Sequence, residues 1–217
     1  MIYQQEINFK KKLISEFPYG SIENKHEFKP NITNDFTNKS FIKWIFTKKN
    51  TKKVELSYNK ISLSYENNNY KSFEEFNNDI KIIINTLKSY AIIKVEYVKL
   101  RYINQLKENN HTNWEDYLDK TLHNITPSFT DNNNLQRNMH ILEFKENDFN
   151  IHFQFGQFNN KYPSTLTKKE FILDYTCKYE EDINLNNVES IVEDMHNIIS
   201  NLFERSINDK LRKLMKG

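Results

Sequence analysis

The stretch AIIKVEYVKLRYINQL, Ala91 to Leu106, is the longest apolar-rich run in the chain without a breaker. Its β-branched and aromatic content predicts a long strand. The alternation changes phase partway: Ile93, Val95 and Tyr97 share one face, and Val98, Leu100 and Tyr102 the other. A period of two allows this only with a bulge near Tyr97–Val98, or with both faces covered over part of the length. Arg101 and Asn104 then fall among residues expected to be buried, where an unpaired charge or amide is costly. Arg101 is expected to pair with a carboxylate such as Glu96 or Asp174, and Asn104 to cap the strand end, since buried polar groups commonly fix register. The functional alternative is that Arg101, Tyr102 and Asn104 together bind a ligand or a partner's backbone. The guanidinium fork and the donor-and-acceptor amide suit that task. We adopt the structural role.

C-terminal to this run, Thr112 and Glu115 form a capping box for a helix lined by Trp114, Tyr117, Leu118, Leu122 and Ile125, and Ser128–Asn138 reads as loop. A hairpin turning at Asn147-Asp148 sets Phe144 opposite Ile151, Leu142 opposite Phe153 and His140 opposite Phe155. Phe171, Leu173, Tyr175, Cys177 and Tyr179 alternate on another strand. A helix follows from Val188 to Arg205, buried along Val188, Ile191, Val192, Met195, Ile199, Leu202 and Phe203, with a short basic tail helix to Met215.

On the N-terminal side, Ile2–Ile7 is expected as a strand. Asn8 caps a helix to Phe17 with Phe9, Leu13, Ile14 and Phe17 on its buried face. Tyr19–Ser40, polar and carrying Gly20 and Pro30, reads as a surface connection, and Phe41–Thr47 as a strand. A second hairpin, turning at Asn59-Lys60, sets Tyr58 opposite Ile61, Leu56 opposite Leu63 and Val54 opposite Tyr65. Ser72 and Glu75 open a helix whose stripe is Phe73, Phe76, Ile80, Ile83, Ile84 and Leu87.

Residues 1–90 and 91–217 thus show one order of elements, strand, helix, three strands, helix, without residue identity between them. The expectation is an α+β protein built from an internally duplicated unit. Its antiparallel sheets would meet about a pseudo-twofold axis, with helices packed on one side.

Leu100-Arg101-Tyr102-Ile103-Asn104, the strand of Trp44 and Phe46 with its hairpin, and Leu202-Phe203-Glu204-Arg205-Ser206-Ile207 followed by Leu211-Arg212 carry a resemblance that spans most of the chain. They resemble a sporadically distributed, largely uncharacterised bacterial family with a central motif close to GLRYINRI. Lys99 stands where that motif has Gly, and Gln105 where it has Arg. The resemblance implies an accessory or mobile-genome gene, in defence or counter-defence against phage. It implies no reaction.

Composition narrows the function classes. Three glycines, Gly20, Gly156 and Gly217, leave no room for a phosphate-binding loop, a dinucleotide fingerprint or a nucleophile elbow. The six histidines lack metal-binding spacing, so neither a metal nor a cofactor is expected. The lone Cys177 excludes an internal disulfide and fits a reducing cytoplasm. No apolar run reaches membrane-span length. A net charge of +2 gives no global attraction for nucleic acid. Lys48, Lys49, Lys52 and Lys53, with Lys10–Lys12, could grip phosphates, but hairpin-tip lysines also blunt sheet edges, which is the simpler reading. Asp131 with Glu143 and Lys145 imitates a magnesium nuclease core, yet an exposed hairpin supplies the same pattern as a cross-strand charge pair. The function expected is therefore non-catalytic binding or regulation, through another protein or self-association along an edge strand. The alternatives are a small-molecule sensor using the cleft between the halves, and a nucleic-acid binder or nuclease.

Overall fold

Two antiparallel four-stranded sheets, each with its own helical cover, carry an α+β fold. They belong to two compact units, Met1–Ile93 and Lys94–Gly217, in a computed structural model. The structure describes residues 11, 14–15, 17–30, 36–48, 51–57, 59–66, 69–88, 94–107, 113–123, 135–159, 161–166 and 170–216. The expected first strand, Ile2–Ile7, lies outside the described residues.

In the first unit, β1 (Tyr19–Pro30), β2 (Phe36–Lys48), β3 (Lys52–Ser57) and β4 (Lys60–Tyr65) follow one another as a meander, and α1 (Phe73–Lys88) comes after them. The stretch expected as a surface connection is mostly strand: β1 pairs with β2 from Tyr19↔Thr47 to Pro30↔Phe36. Its polar sequence carries no strand propensity, and pairing with a neighbour overrides that lack. The hairpin register also differs from expectation. Leu56 faces Ile61, Val54 faces Leu63 and Lys52 faces Tyr65, two residues away from the expected pairing. A two-residue slip keeps every side chain on its face, so the apolar face survives. Trp44, Phe46, Val54, Leu56, Ile61 and Leu63 pack with Ile83 and Leu87 of α1 and with Phe17. Lys11, Ile14 and Ser15 are helical; of the expected stripe Phe17 is buried and Ile14 is exposed, while Phe9 and Leu13 lie outside the described residues.

In the second unit, β5 (Val98–Lys107), β6 (Asn138–Glu146), β7 (Phe149–Gln157) and β8 (Glu170–Tyr179) assemble in the order β5-β8-β7-β6. This is not the meander of the first unit, so the described strands do not repeat one topology. β5 starts at Val98, where pairing to Tyr179 begins, and Lys94–Tyr97 precede it outside the sheet. No bulge is needed: the phase change marks a strand boundary. The Asn147-Asp148 hairpin has the expected register, with Phe144↔Ile151, Leu142↔Phe153 and His140↔Phe155. Phe171, Leu173, Tyr175 and Cys177 of β8 are fully buried beneath α2 (Val188–Ser206), which lies over β5 and β8. Burial pushes the Cys177 thiol up to about 12, which makes it a packing residue rather than a nucleophile.

The helix expected around Trp114 is two 3₁₀ turns instead, Trp114–Asp116 and Lys120–Leu122, capped by Asn113 and Asp119. Tertiary bonds break it. Leu118 bridges Ile207, Asp119 N–H donates to the Ser206 carbonyl (2.9 Å), and Asn208 N–H donates to the Tyr117 carbonyl (2.9 Å). The junction between α2 and α3 (Asp209–Lys216) thus claims backbone groups that a continuous helix would use itself. Among the described residues no helix is long and apolar enough to cross a membrane.

Candidate functional site

Strand alternation separates the three candidates on β5. Arg101 points to the outer face of the sheet, whereas Tyr102 and Asn104 point to the face under α2. They form no common site. Arg101 finds the expected carboxylate: Nε donates to Asp174 Oδ1 (2.8 Å) and Nη2 to Oδ2 (2.6 Å). Arg101 is not buried, however. Its side chain is 52% exposed and that of Asp174 is 10% exposed, so the arginine lies over the carboxylate as a cover. A short aspartate in the middle of a sheet is shielded by its neighbours, and a long arginine on the end strand β5 reaches back across it. The Asp174 carboxylate holds the guanidinium above its ordinary pKa.

Tyr102 meets His196 of α2, with Oη 3.2 Å from Nδ1, and Ser200 lies one turn further along α2. Burial lowers the His196 pKa, and the nearby Glu193 charge opposes the shift. Asn104 is half-buried on the same face.

The candidate lysines are distributed as the β3 alternation dictates. Lys52 points inward beside Val54 and is nearly buried, its Nζ 2.7 Å from Asp79 and 2.8 Å from Glu75, both on α1. Tyr65, its cross-strand neighbour, also donates to Asp79 (2.6 Å). Burial acts to lower the Lys52 pKa, but the bonds to Asp79, Glu75 and Tyr65 outweigh it and raise the pKa above its ordinary value. Lys53 points outward and is bound to Glu55 (2.8 Å), which also takes Lys43 (2.6 Å). Lys48 ends β2, and Lys49 lies outside the described residues. Both Lys52 and Lys53 thus spend their charge on carboxylates of their own unit. The Asp79 network was missed in the sequence, although a signal was there: an acidic residue three after Phe76 and four before Ile83 sits inside an apolar stripe and needs a cation.

The residues behind the C-terminal resemblance gather at the α2–α3 junction. Tyr175 donates to Ser206 Oγ (2.7 Å), which donates to the Leu202 carbonyl (2.8 Å). Arg212 binds Glu204 (2.7 Å), Asp209 (2.8 Å) and the carbonyls of Glu204 and Ile207. An open depression there is lined by Asp119, Arg205, Asn208 and Arg212 among others. These polar groups close a helix end and tie down the 3₁₀ turns, a structural task.

β6 differs from the rest of the unit. It is the last strand in its sheet among the described strands, so no described strand pairs with its outer edge. Its side chains include exposed apolar groups on both faces: Ile141 at 56%, Leu142 at 49% and Phe144 at 37%. Between them, Glu143 and Lys145 are exposed, and Glu143 Oε1 lies 3.0 Å from Nδ1 of its cross-strand neighbour His152. Glu143 and Lys145 therefore sit on an open strand rather than in a cleft, and Asp131 lies outside the described residues. Among the described residues no group of three His, Cys, Asp or Glu side chains could hold a metal ion. Comparison with family models, curated proteins and solved structures finds no match to this chain.

Proposed function

We propose that this protein is a non-catalytic binding or regulatory module of an accessory bacterial system, acting through protein strands that pair with β6. The observation that carries the reading is the open edge of β6. It has nine residues without proline or bulge, and it exposes Ile141, Leu142 and Phe144 beside it. β6 does carry Glu143, Lys145 and Glu146, but these are of both signs and can be matched by a partner strand, so the edge remains a template for another strand. The resemblance to a sporadically distributed bacterial family supports the accessory setting. A role in phage defence or counter-defence belongs to the same proposal.

A photo-reactive phenylalanine analogue in place of Phe144 tests it in cells of the native host. The expected result is a protein adduct at position 144 and none from the same probe at the exposed Lys88 of α1. Equal labelling at both positions, or no adduct at 144, overturns the reading.

A further inference from the structure

We infer that the strand received by β6 is β6 of a second copy of this chain, paired antiparallel about a twofold axis at Phe144. This rests on the binding role proposed above and names the partner. The two free strands of the second unit differ in what they offer to themselves. β5 reads VKLRYINQLK and contains cations but no carboxylate, so two copies of it bring together like charges. β6 reads NMHILEFKE and contains both signs.

An axis at Phe144 sets residue i opposite 288 − i. Phe144 then meets Phe144 of the second copy, and Glu143 meets Lys145 twice, once on each side of the axis. Leu142 lies opposite Glu146 and diagonal to Phe144 of the second copy. Moving the register by two residues puts the axis at Glu143 and opposes two like carboxylates; moving it by four puts the axis at Leu142 and sets Ile141 against Glu143. Both lose the paired charges. A twofold interface must be self-complementary, and of these registers the Phe144-centred one satisfies the charges.

The backbone agrees. The hairpin turn is two residues long, so Glu146 and Phe149 flank it, and ladder alternation turns Glu146, Phe144 and Leu142 toward β7. The N–H and C=O groups of Ile141, Glu143 and Lys145 then face the open edge. In the proposed pair, Glu143 and Lys145 exchange backbone hydrogen bonds, and Phe144 occupies the position where opposing side chains come closer. Just before β6, the Asn159 side chain donates to the Gln136 carbonyl from the β7 side (2.8 Å), and Leu166 N–H donates to the Leu135 carbonyl (2.9 Å).

Sedimentation velocity over a concentration series of the full chain tests the inference, with thermal unfolding to check that each variant is folded. The wild type is expected to be a dimer. Glu143→Lys and Lys145→Glu should each weaken it roughly ten-fold or more, because both cross-strand pairs become like-charged. The Glu143→Lys/Lys145→Glu double variant should regain dimerisation. Mixing the two single variants should give a heterodimer, since every charge then meets its opposite. A monomeric wild type overturns the inference. So does a Glu143→Gln variant that dimerises more tightly, which is the mark of the axis at Glu143, where the change removes two opposed carboxylates. If the chain is monomeric but position 144 labels a different protein, the binding role stands and the self-pairing falls. If position 144 labels nothing, both fall.

Discussion

Among the described residues, each unit buries an aspartate against a cation, and the two do it differently. Asp79 is on α1 and reaches through the layer to Lys52 and Tyr65 on β3 and β4, so it joins helix to sheet. Asp174 is on the outer face of β8, and Arg101 of the adjacent strand folds over it. The carboxylates are equally hidden, with 10% of each side chain exposed, but Lys52 is 13% exposed and Arg101 52%. An ion pair inside the protein is expensive to break because the surviving charge has no water to turn to. A pair with one partner in solvent is screened and worth less. The exposure of the cation, not of the acid, should therefore rank the two.

Lys52→Met tests the deeper pair and should have the largest effect, a loss of about 3–5 kcal/mol, because Asp79 keeps the Tyr65 hydroxyl but loses its cation. Adding Asp79→Leu should recover most of that loss, since an apolar pair of similar volume replaces the ionic one. The readout is urea unfolding, followed separately for the two units in case they unfold in separate transitions. An unchanged midpoint for Lys52→Met would break the ranking at its first step.

Arg101→Ala comes next, at about 1–2 kcal/mol, reduced from the cost of a buried pair by the exposure of the guanidinium. Arg101→Lys should fall between the wild type and Arg101→Ala, because a single ammonium cannot reproduce two parallel bonds to one carboxylate. A loss for Arg101→Ala as large as that for Lys52→Met would show that the exposed cation matters as much as the enclosed one.

The same contrast explains what could be read from the sequence. The Arg101–Asp174 pair was within reach because the Phe171–Tyr179 alternation fixes β8, leaving Asp174 as a charge between buried residues. The depth of Arg101 was not, because β5 begins at Val98 and the run from Ala91 made the strand look longer and more enclosed. The second hairpin was legible down to its register, since Asn147-Asp148 supplies a turn between two alternating runs. The first was legible only by face: the observed register, with Leu56 opposite Ile61, differs from the expected one by a two-residue slip that apolar patterning does not register. β1 and the 3₁₀ turns lay beyond local reading for one reason. Their backbones are shaped by partners distant in sequence, β2 for the one and the α2–α3 junction for the other. Of the candidate site, the named residues were found and their grouping was not, because Arg101 and Tyr102 are neighbours in sequence but face opposite sides of the sheet.

The smallest effect expected is a dependence on pH: a neutral, half-buried contact in the second unit should be felt where its exposed ion pair is constant. His196 lies against Tyr102 on the face that Arg101 does not use, and burial holds its pKa below the ordinary 6.5. A Tyr102 O–H donated to Nδ1 requires a neutral ring with its proton on Nε2, so protonation removes an acceptor as well as adding a half-buried charge. As pH falls, the unfolded chain takes up this proton first. The contribution of His196 is therefore complete above about pH 6.5 and is lost as pH falls from there toward the lower folded value. The carboxylates elsewhere titrate too, so the measurement is a difference: urea midpoints of the wild type and of His196→Gln at a series of pH values from 7.5 to 5. Glutamine keeps a hydrogen-bonding group but does not titrate. The midpoint of the wild type should fall relative to that of His196→Gln through this window, while the Arg101→Ala difference stays level because the guanidinium remains charged throughout. A wild-type advantage that grows on acidification would mean that His196 gains a proton more readily in the folded state. Glu193, the one nearby charge acting to raise its pKa, would then outweigh burial.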